Sequence, residues 1–554
     1  MASISQDTVR YLANAVVQVL IAKEVNVLVT EPYMDEPFHI PQAQAYCRSE
    51  WDVWDPKITT PPGLYLISVA FKSVFLFRCT LPVLRFTNIL LSLLIPPIIT
   101  RILARVRRES PPESLLEPTP EALIIALFPV GWFFNFLYYT ETGSVLFVLM
   151  CFWAALEGKH AAAALLGLAS CFFRQTNIIW VAYALGFGAL AKLHRPPPRS
   201  TTGTAAVAPA SPLYDPPARS ATIFDIIQCF VFLPNAILSV TEVLAPYAAV
   251  AAAFVGFVVW NGGIVLGDKS NHIPQIHIPQ LYYFIAFSTA LGLPVLVSGP
   301  GGPSYLVREV IRRMVGTRTR VILNTLLCAA MMVTIRLFTI HHPFLLSDNR
   351  HYTFYVWARV FRRHPLVGPA LAPGYLVCAY AWFVRVYCPP RPRINARTTT
   401  NPPMLRANGS AVPHGNGNGG IAEAVAAPPP TTALRTTPQD STKSLLHALL
   451  LPICLVLALL PTPLLEPRYF LIPYILLRLQ VPLPSIPFSS SSSRSSSTAW
   501  WETTVEDTFG LSPSDNGGIM WGVLLEGVWY AAINYATMWV FLYKEREGVG
   551  RFMW

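Results

Sequence analysis

A chain of 554 residues that is 53% hydrophobic and only 13% charged cannot cover a water-facing surface with polar groups, which excludes a soluble globular protein. Its net charge of +11 would suit a nucleic-acid binder, but the basic residues lie in short clusters beside apolar runs, as cytosolic loops of membrane proteins do, so nucleic acid is not an expected partner. The apolar runs are continuous rather than alternating, which selects helices over a barrel and predicts an all-α polytopic membrane protein of about 10 to 14 spans.

The first run, Val9 to Thr30, has no basic leader or small-residue cleavage site and reads as a retained helix. The loop that follows, 31–80, opens with "EPYMDEPFHIPQAQAYCRSEWDVWDPKITTPPGLY" (Glu31 to Tyr65), crowded with carboxylates, aromatics and prolines. Asp35 and Glu36 are adjacent there, and Pro37 pushes Glu36 toward an extended conformation in which neighbouring side chains diverge. One carboxylate can then act as general base while the other orients a neighbour; the competing reading is two solvated acids capping a helix that starts near Pro37. Leu64 to Phe77, short and carrying Lys72, reads as a helix lying at the membrane surface, and Leu81 to Ile99 as the second span.

"RILARVRR" (Arg101 to Arg108) then returns to the cytosol, and the crossings alternate onward from it. They place "YYTETGS" (Tyr138 to Ser144), "FRQTN" (Phe173 to Asn177), "NGGIVLGDKSNHIPQIHIPQ" (Asn261 to Gln280), "HHPFLLSDNRHYTFYVW" (His341 to Trp357) and "PTPLLEPRYF" (Pro461 to Phe470) on the far side with the acidic loop. Clear runs at Val240 to Trp260, Leu281 to Val297, Val321 to Ile340, Leu446 to Leu460 and Val523 to Phe541 carry the later crossings. The other face receives the basic clusters and two insertions, 195–220 and 390–441, too poor in large apolar residues to pack and expected to be disordered; 484–515, before the last span, is a further low-complexity loop. The nine cysteines are scattered with no CxxC pair, so neither a zinc site nor a disulfide framework is expected.

The chemically rich loops thus share one face. Arg174, Lys269, Arg350 and Arg468 each end an apolar run there; singly they can snorkel to headgroups, together they can hold an anionic phosphate. His39, His272, His277, His341, His342 and His351 also lie on this face, but their spacing matches no metal-ligand pattern. Trp51, Trp54, Tyr138, Tyr139, Tyr352 and Trp357 fit an interfacial belt or sugar-stacking platforms equally well. A transporter or channel would instead place ionisable residues and broken helices near the bilayer midplane.

In this order, "PYMDEPFHIPQAQAYC", "WDPKITTPPGLY", "FRQTNIIW", "LGDKSNH", "HPFLLSDNRHYTFYVW" and "EPRYFLIPY" closely resemble the α-1,2-glucosyltransferase family of the asparagine-linked glycosylation pathway. The resemblance implies a GT-C type fold in the endoplasmic-reticulum membrane with a lumenal active site. It implies an inverting enzyme that moves glucose from dolichyl phosphate glucose onto the diglucosylated dolichyl-diphosphate-linked oligosaccharide. Asp35 is then the first choice for the base and Glu36 the second, with Arg350 and Lys269, then Arg174 and Arg468, taking the donor phosphate. His39, Trp54, Asp268, His272, Asn349, His351, Tyr352 and Glu466 are expected to contact substrate. No cofactor is expected and this chemistry requires no metal, although one bridging a carboxylate and the phosphate stays open. The alternatives are a multispanning transporter or channel, or another polyprenyl-phosphate-sugar-dependent GT-C transferase.

Overall fold

The computed structural model describes residues 5–194, 213–270, 273–342, 348–390, 444–481 and 518–554. Among these the chain is helical, with extended pairing limited to isolated bridges. Among the described residues seven helices are long and apolar enough to cross a membrane: Gln6–Leu28, Leu81–Arg107, Gln175–Leu193, Thr241–Asn261, Pro279–Ser298, Arg318–Phe338 and Val367–Tyr387. Shorter apolar helices at Gly63–Phe75, Glu141–Leu156, His160–Cys171, Ile223–Leu238 and Leu445–Leu459, and the longer Gly518–Tyr543, complete an all-α polytopic protein. The short ones account for the gap from the expected 10 to 14 spans, because the 15 residues of Leu445–Leu459 rise only about 22 Å against a hydrocarbon core of roughly 30 Å.

Local chemistry sets the boundaries. Ser5 caps the first helix by accepting from the Thr8 amide, and Thr222 with Asp225 forms a reciprocal capping box on Ile223–Leu238. The second span breaks at Leu94, where Pro96 and Pro97, lacking amide protons, start a new first turn. Val9, Leu12, Val16 and Leu20 on the first helix, and Leu326, Val333 and Leu337 on Arg318–Phe338, point outward, as lipid-facing side chains do.

Several expectations are corrected. Pro37 does not hold Glu36 extended: it sits in the first turn of the Glu36–Cys47 helix, where its missing amide breaks no hydrogen bond. Cys47, ending that helix, is disulfide-bonded to Cys79, 32 residues on, although no cysteine spacing announced a bridge. Residues 213–220 are packed against the start of Leu445–Leu459, with the Leu445 amide donating to Pro216 O at 2.8 Å and the Leu446 amide to Asp215 Oδ1 at 2.8 Å. The rest of the first insertion, nearly all of 390–441, and 484–515 lie outside the described residues.

Nor does charge collect only at one face. Arg478, fully buried, donates to both carboxylate oxygens of Glu526 at 2.8 Å and lies 3.1 Å from Glu121. Arg385 donates to the carbonyls of Leu296, Pro300 and Gly302, tying the end of Ala372–Tyr387 to the Pro279–Ser298 helix and the turn after it. These interior charges are paired or hydrogen-bonded, as a low-dielectric interior requires.

Candidate active site

The far-side loops converge on one cavity of about 1150 Å³, lined by residues from every one of the quoted polar loops. Asp35 reaches it from the residue before the Glu36–Cys47 helix. Met34, at φ 61°, turns the chain in the left-handed region just before Asp35, whose amide donates to the Tyr139 hydroxyl at 3.0 Å. Its carboxylate accepts from Arg468 Nη1 at 3.0 Å. Removal from bulk water pushes the Asp35 carboxyl up, but the charge and hydrogen bond of Arg468 outweigh that and hold it below the usual carboxylate range.

Arg468 is the hub. Its Nε binds Glu466 and its Nη1 also lies 3.7 Å from Glu141 Oε1. It is presented by the short 3₁₀ turn Pro467–Phe470, directly after an extended Glu466. Burial pushes Glu466 up, yet Arg468 holds this carboxyl low too. Glu141 is itself buried and receives Arg174 Nη2 at 2.5 Å, while its Oε2 has no hydrogen-bond partner among the described residues. Arg174 in turn stacks over the Tyr469 ring at 5.5 Å. A chain of alternating charge therefore runs Asp35, Arg468, Glu141, Arg174 along one wall.

The other two expected cations line the same cavity. Arg350 makes a bidentate pair with Asp348, Nε and Nη2 each at 2.9 Å, which raises its already high pKa. Lys269 donates to Asn261 O at 2.5 Å across a turn whose Gly262 and Gly263 both adopt positive φ. Of the expected substrate contacts, His39, Asp268, His351 and Glu466 line the cavity. His39 Nδ1 lies 2.5 Å from the Tyr65 hydroxyl, and burial lowers its pKa, favouring a neutral ring. His351 Nδ1 is 2.8 Å from Trp554 O.

Four expected residues are not brought together with these. Glu36 is fully buried behind the wall, accepting from Arg85 Nε at 2.9 Å, Arg85 Nη2 at 2.6 Å, the Tyr138 amide at 2.7 Å and the Tyr33 amide at 3.0 Å. Successive helical residues point about 100° apart, so Asp35 and Glu36 diverge although neither is extended. Trp54 packs on Tyr65, with ring centroids 6.2 Å apart, and Tyr352 packs on Trp554 at 5.3 Å. Neither these two nor Asn349 lines the cavity. His272 lies outside the described residues. Glu141 and Asp348 were missed: both stand inside the quoted loops, and Glu141, the lone acid of "YYTETGS", was the available signal.

The cavity's remaining wall is apolar, with Phe38, Trp180, Val258, Leu459, Leu471 and Ile472. It combines an ionised carboxylate, fixed cations and a greasy side, which suits an anionic headgroup carrying a hydrocarbon tail.

A profile of the DIE2/ALG10 family matches residues 29–479. A Mus musculus protein named Dol-P-Glc:Glc(2)Man(9)GlcNAc(2)-PP-Dol alpha-1,2-glucosyltransferase is 32% identical over 539 residues, covering 95% of this chain and 93% of its own length. A Homo sapiens protein of that name is 30% identical with the same coverage, and one from Arabidopsis thaliana is 29% identical over 96% of each chain. No solved structure matches the chain.

Proposed function

The chain belongs to the DIE2/ALG10 family, and on that premise we propose that it transfers glucose from dolichyl phosphate glucose to the diglucosylated dolichyl-diphosphate-linked oligosaccharide in α-1,2 linkage, with inversion, on the lumenal face of the endoplasmic-reticulum membrane. The observation that carries the reading is Asp35, hydrogen-bonded to Arg468 in a cavity that Arg174, Lys269 and Arg350 also line. The Cys47–Cys79 disulfide supports the lumenal assignment, because it lies in the loop that presents Asp35 and such bonds persist in oxidising compartments.

In the proposed reaction the acceptor 2-hydroxyl oxygen attacks C1 of the β-linked glucose, the bond from C1 to the phosphate oxygen breaks, and dolichyl phosphate leaves with the electron pair. Asp35 takes the hydroxyl proton. Its low pKa keeps it ionised and ready, and contact of Arg468 with the incoming phosphate would loosen its hold on Asp35, raising basicity as the donor binds. Arg468, Arg350, Arg174 and Lys269 stabilise the charge that develops on the leaving phosphate, a role for donors held in place around one cavity. Phe38, Val258, Leu471 and Ile472 receive the first isoprenoid units of the tail.

The test is glucosyl transfer from dolichyl phosphate glucose to the diglucosylated acceptor by purified protein. Asp35→Asn is expected to lose about 10²- to 10⁴-fold in rate while unfolding at the wild-type midpoint. Wild-type rates in that variant would remove Asp35 as the base, and an inert wild type would remove the reaction itself.

A further inference from the structure

A second cluster lies at the opposite ends of two helices that reach the cavity. Asn177 and Trp180 line the cavity at the start of Ile178–Leu193, and His194 follows its last residue. Ala458 and Leu459 line it at the end of Leu445–Leu459, and His447 lies near its start, roughly 20 Å away along the helix axis. Beside the two histidines stands Asp215, whose side chain is only 2% exposed. One donor atom from each of the three lies within 4.8 Å of the others.

Each donor is aimed by a neighbour. His194 Nδ1 is 2.8 Å from Leu190 O, a carbonyl that can only accept, so Nδ1 carries the proton and Nε2 of the neutral ring presents a lone pair. That Nε2 faces Asp215 Oδ2 at 3.1 Å. Two lone pairs at this distance repel unless a positive centre lies beside both. Asp215 Oδ1 is occupied by the Leu446 amide at 2.8 Å, which turns Oδ2 toward the rings. His447 Nδ1 lies 2.7 Å from Ser444 Oγ, and when Nδ1 donates that bond the lone pair of Nε2 is left to offer; its ring stacks on His194 at a centroid distance of 5.6 Å. A histidine held through one nitrogen by a carbonyl or hydroxyl and offering the other is the usual outer support of a metal ligand. Leu190, Leu213, Leu445, Leu446 and Cys229, next to these residues along the chain or on the neighbouring helix, form a small buried apolar cluster.

We infer that His194, Asp215 and His447 form a binding site for a divalent transition metal of the zinc class, with two imidazole nitrogens, one carboxylate oxygen and a water as ligands. The metal would staple the end of Ile178–Leu193, the 213–220 segment and the start of Leu445–Leu459. It stands apart from the transfer chemistry and does not depend on which sugar the enzyme carries.

The test uses the full chain purified with a histidine-free tag, its metal content read by mass spectrometry and its Zn²⁺ affinity by competition with a zinc indicator. Wild type is expected to hold about one tightly bound Zn²⁺ per chain, and His447→Gln and Asp215→Asn to lose it while retaining glucosyl transfer. Co²⁺ in place of zinc is expected to give visible d–d absorption in wild type and none in either variant. Should the variants misfold, chelator-treated wild type decides: a lowered unfolding midpoint restored by Zn²⁺ but not Mg²⁺ supports the site. Zinc content equal in wild type and variants, or a midpoint that ignores chelation, overturns it and leaves a proton between His194 and Asp215 as a plain ion pair.

Discussion

Glu36→Gln separates architecture from chemistry in the two adjacent acids. The Glu36 carboxylate accepts four hydrogen bonds, two from Arg85 and one each from the Tyr33 and Tyr138 amides, and both members of the ion pair are 1% exposed or less. Glutamine keeps one acceptor oxygen and replaces the other with an NH₂ that meets donors, so two of those four bonds become donor against donor. Arg85 keeps its charge with no charged partner, held only by one bond to the glutamine oxygen and by the neutral oxygens of Val29, Glu31 and Asn26. Breaking one side of a buried pair in this way costs about 3 to 5 kcal/mol. The expected result in lipid nanodiscs is a clearly lowered unfolding midpoint by intrinsic tryptophan fluorescence, with transfer falling in proportion to the folded fraction. A variant that unfolds at the wild-type midpoint yet transfers no glucose would refute the reasoning, because Glu36 would then be acting on the substrate.

Further outcomes follow from the same geometry. Asp35 must be ionised to accept a proton, and its folded pKa lies below the ordinary carboxylate value of about 3.9, so transfer is expected to stay flat from about pH 7 to 5 and fall only as pH drops through that lowered pKa. Arg468→Met removes the main lowering influence while desolvation remains, so the acid limb of kcat/KM should move upward toward neutrality; an unmoved limb would mean that another group titrates. Cys47→Ser opens a covalent loop between residues 32 apart and is expected to cost about 4 kcal/mol, read as a lower midpoint and as Cys79 newly labelled by maleimide without reductant. Deleting 390–441 is expected to leave transfer rates within about twofold in a well-expressed variant, because its composition and the alternation of basic loops lead to the expectation that it lies on the cytosolic side; lost activity would overturn that expectation.

The spans were legible because a bilayer imposes a length and a composition that a linear scan detects: the expected Val240 to Trp260 and Leu281 to Val297 match Thr241–Asn261 and Pro279–Ser298 within two residues at each end. The convergence of Arg174, Lys269, Arg350 and Arg468 was legible from alternation of sidedness alone. What stayed hidden depends on three-dimensional neighbours. Nothing local separates Asp35 from Glu36; only Arg85, 49 residues on, claims one of them. The Cys47–Cys79 bond needs the Gly63–Phe75 helix to fold back before the two sulfurs meet. The order in 213–220 arises from pairing with Ser444 to Leu446, more than 220 residues away, which composition cannot reveal.

The wall of alternating charge has a consequence for how donor arrives. Along it, the guanidiniums of Arg174 and Arg468 face the carboxylates of Asp35, Glu141 and Glu466, and nearby Arg350 is already matched by Asp348. Such an arrangement projects little long-range field, so it does not draw anions out of bulk water as an open basic funnel does. A lipid-borne phosphate has no need of that attraction. Its tail confines the search to two dimensions, and under the proposed function exchange of carboxylate for phosphate around Arg468 would decide whether it stays. On the proposed function, the site is expected to discriminate poorly in favour of soluble sugar phosphates: selectivity for a membrane-anchored donor would then reside in the route of arrival as much as in the fit.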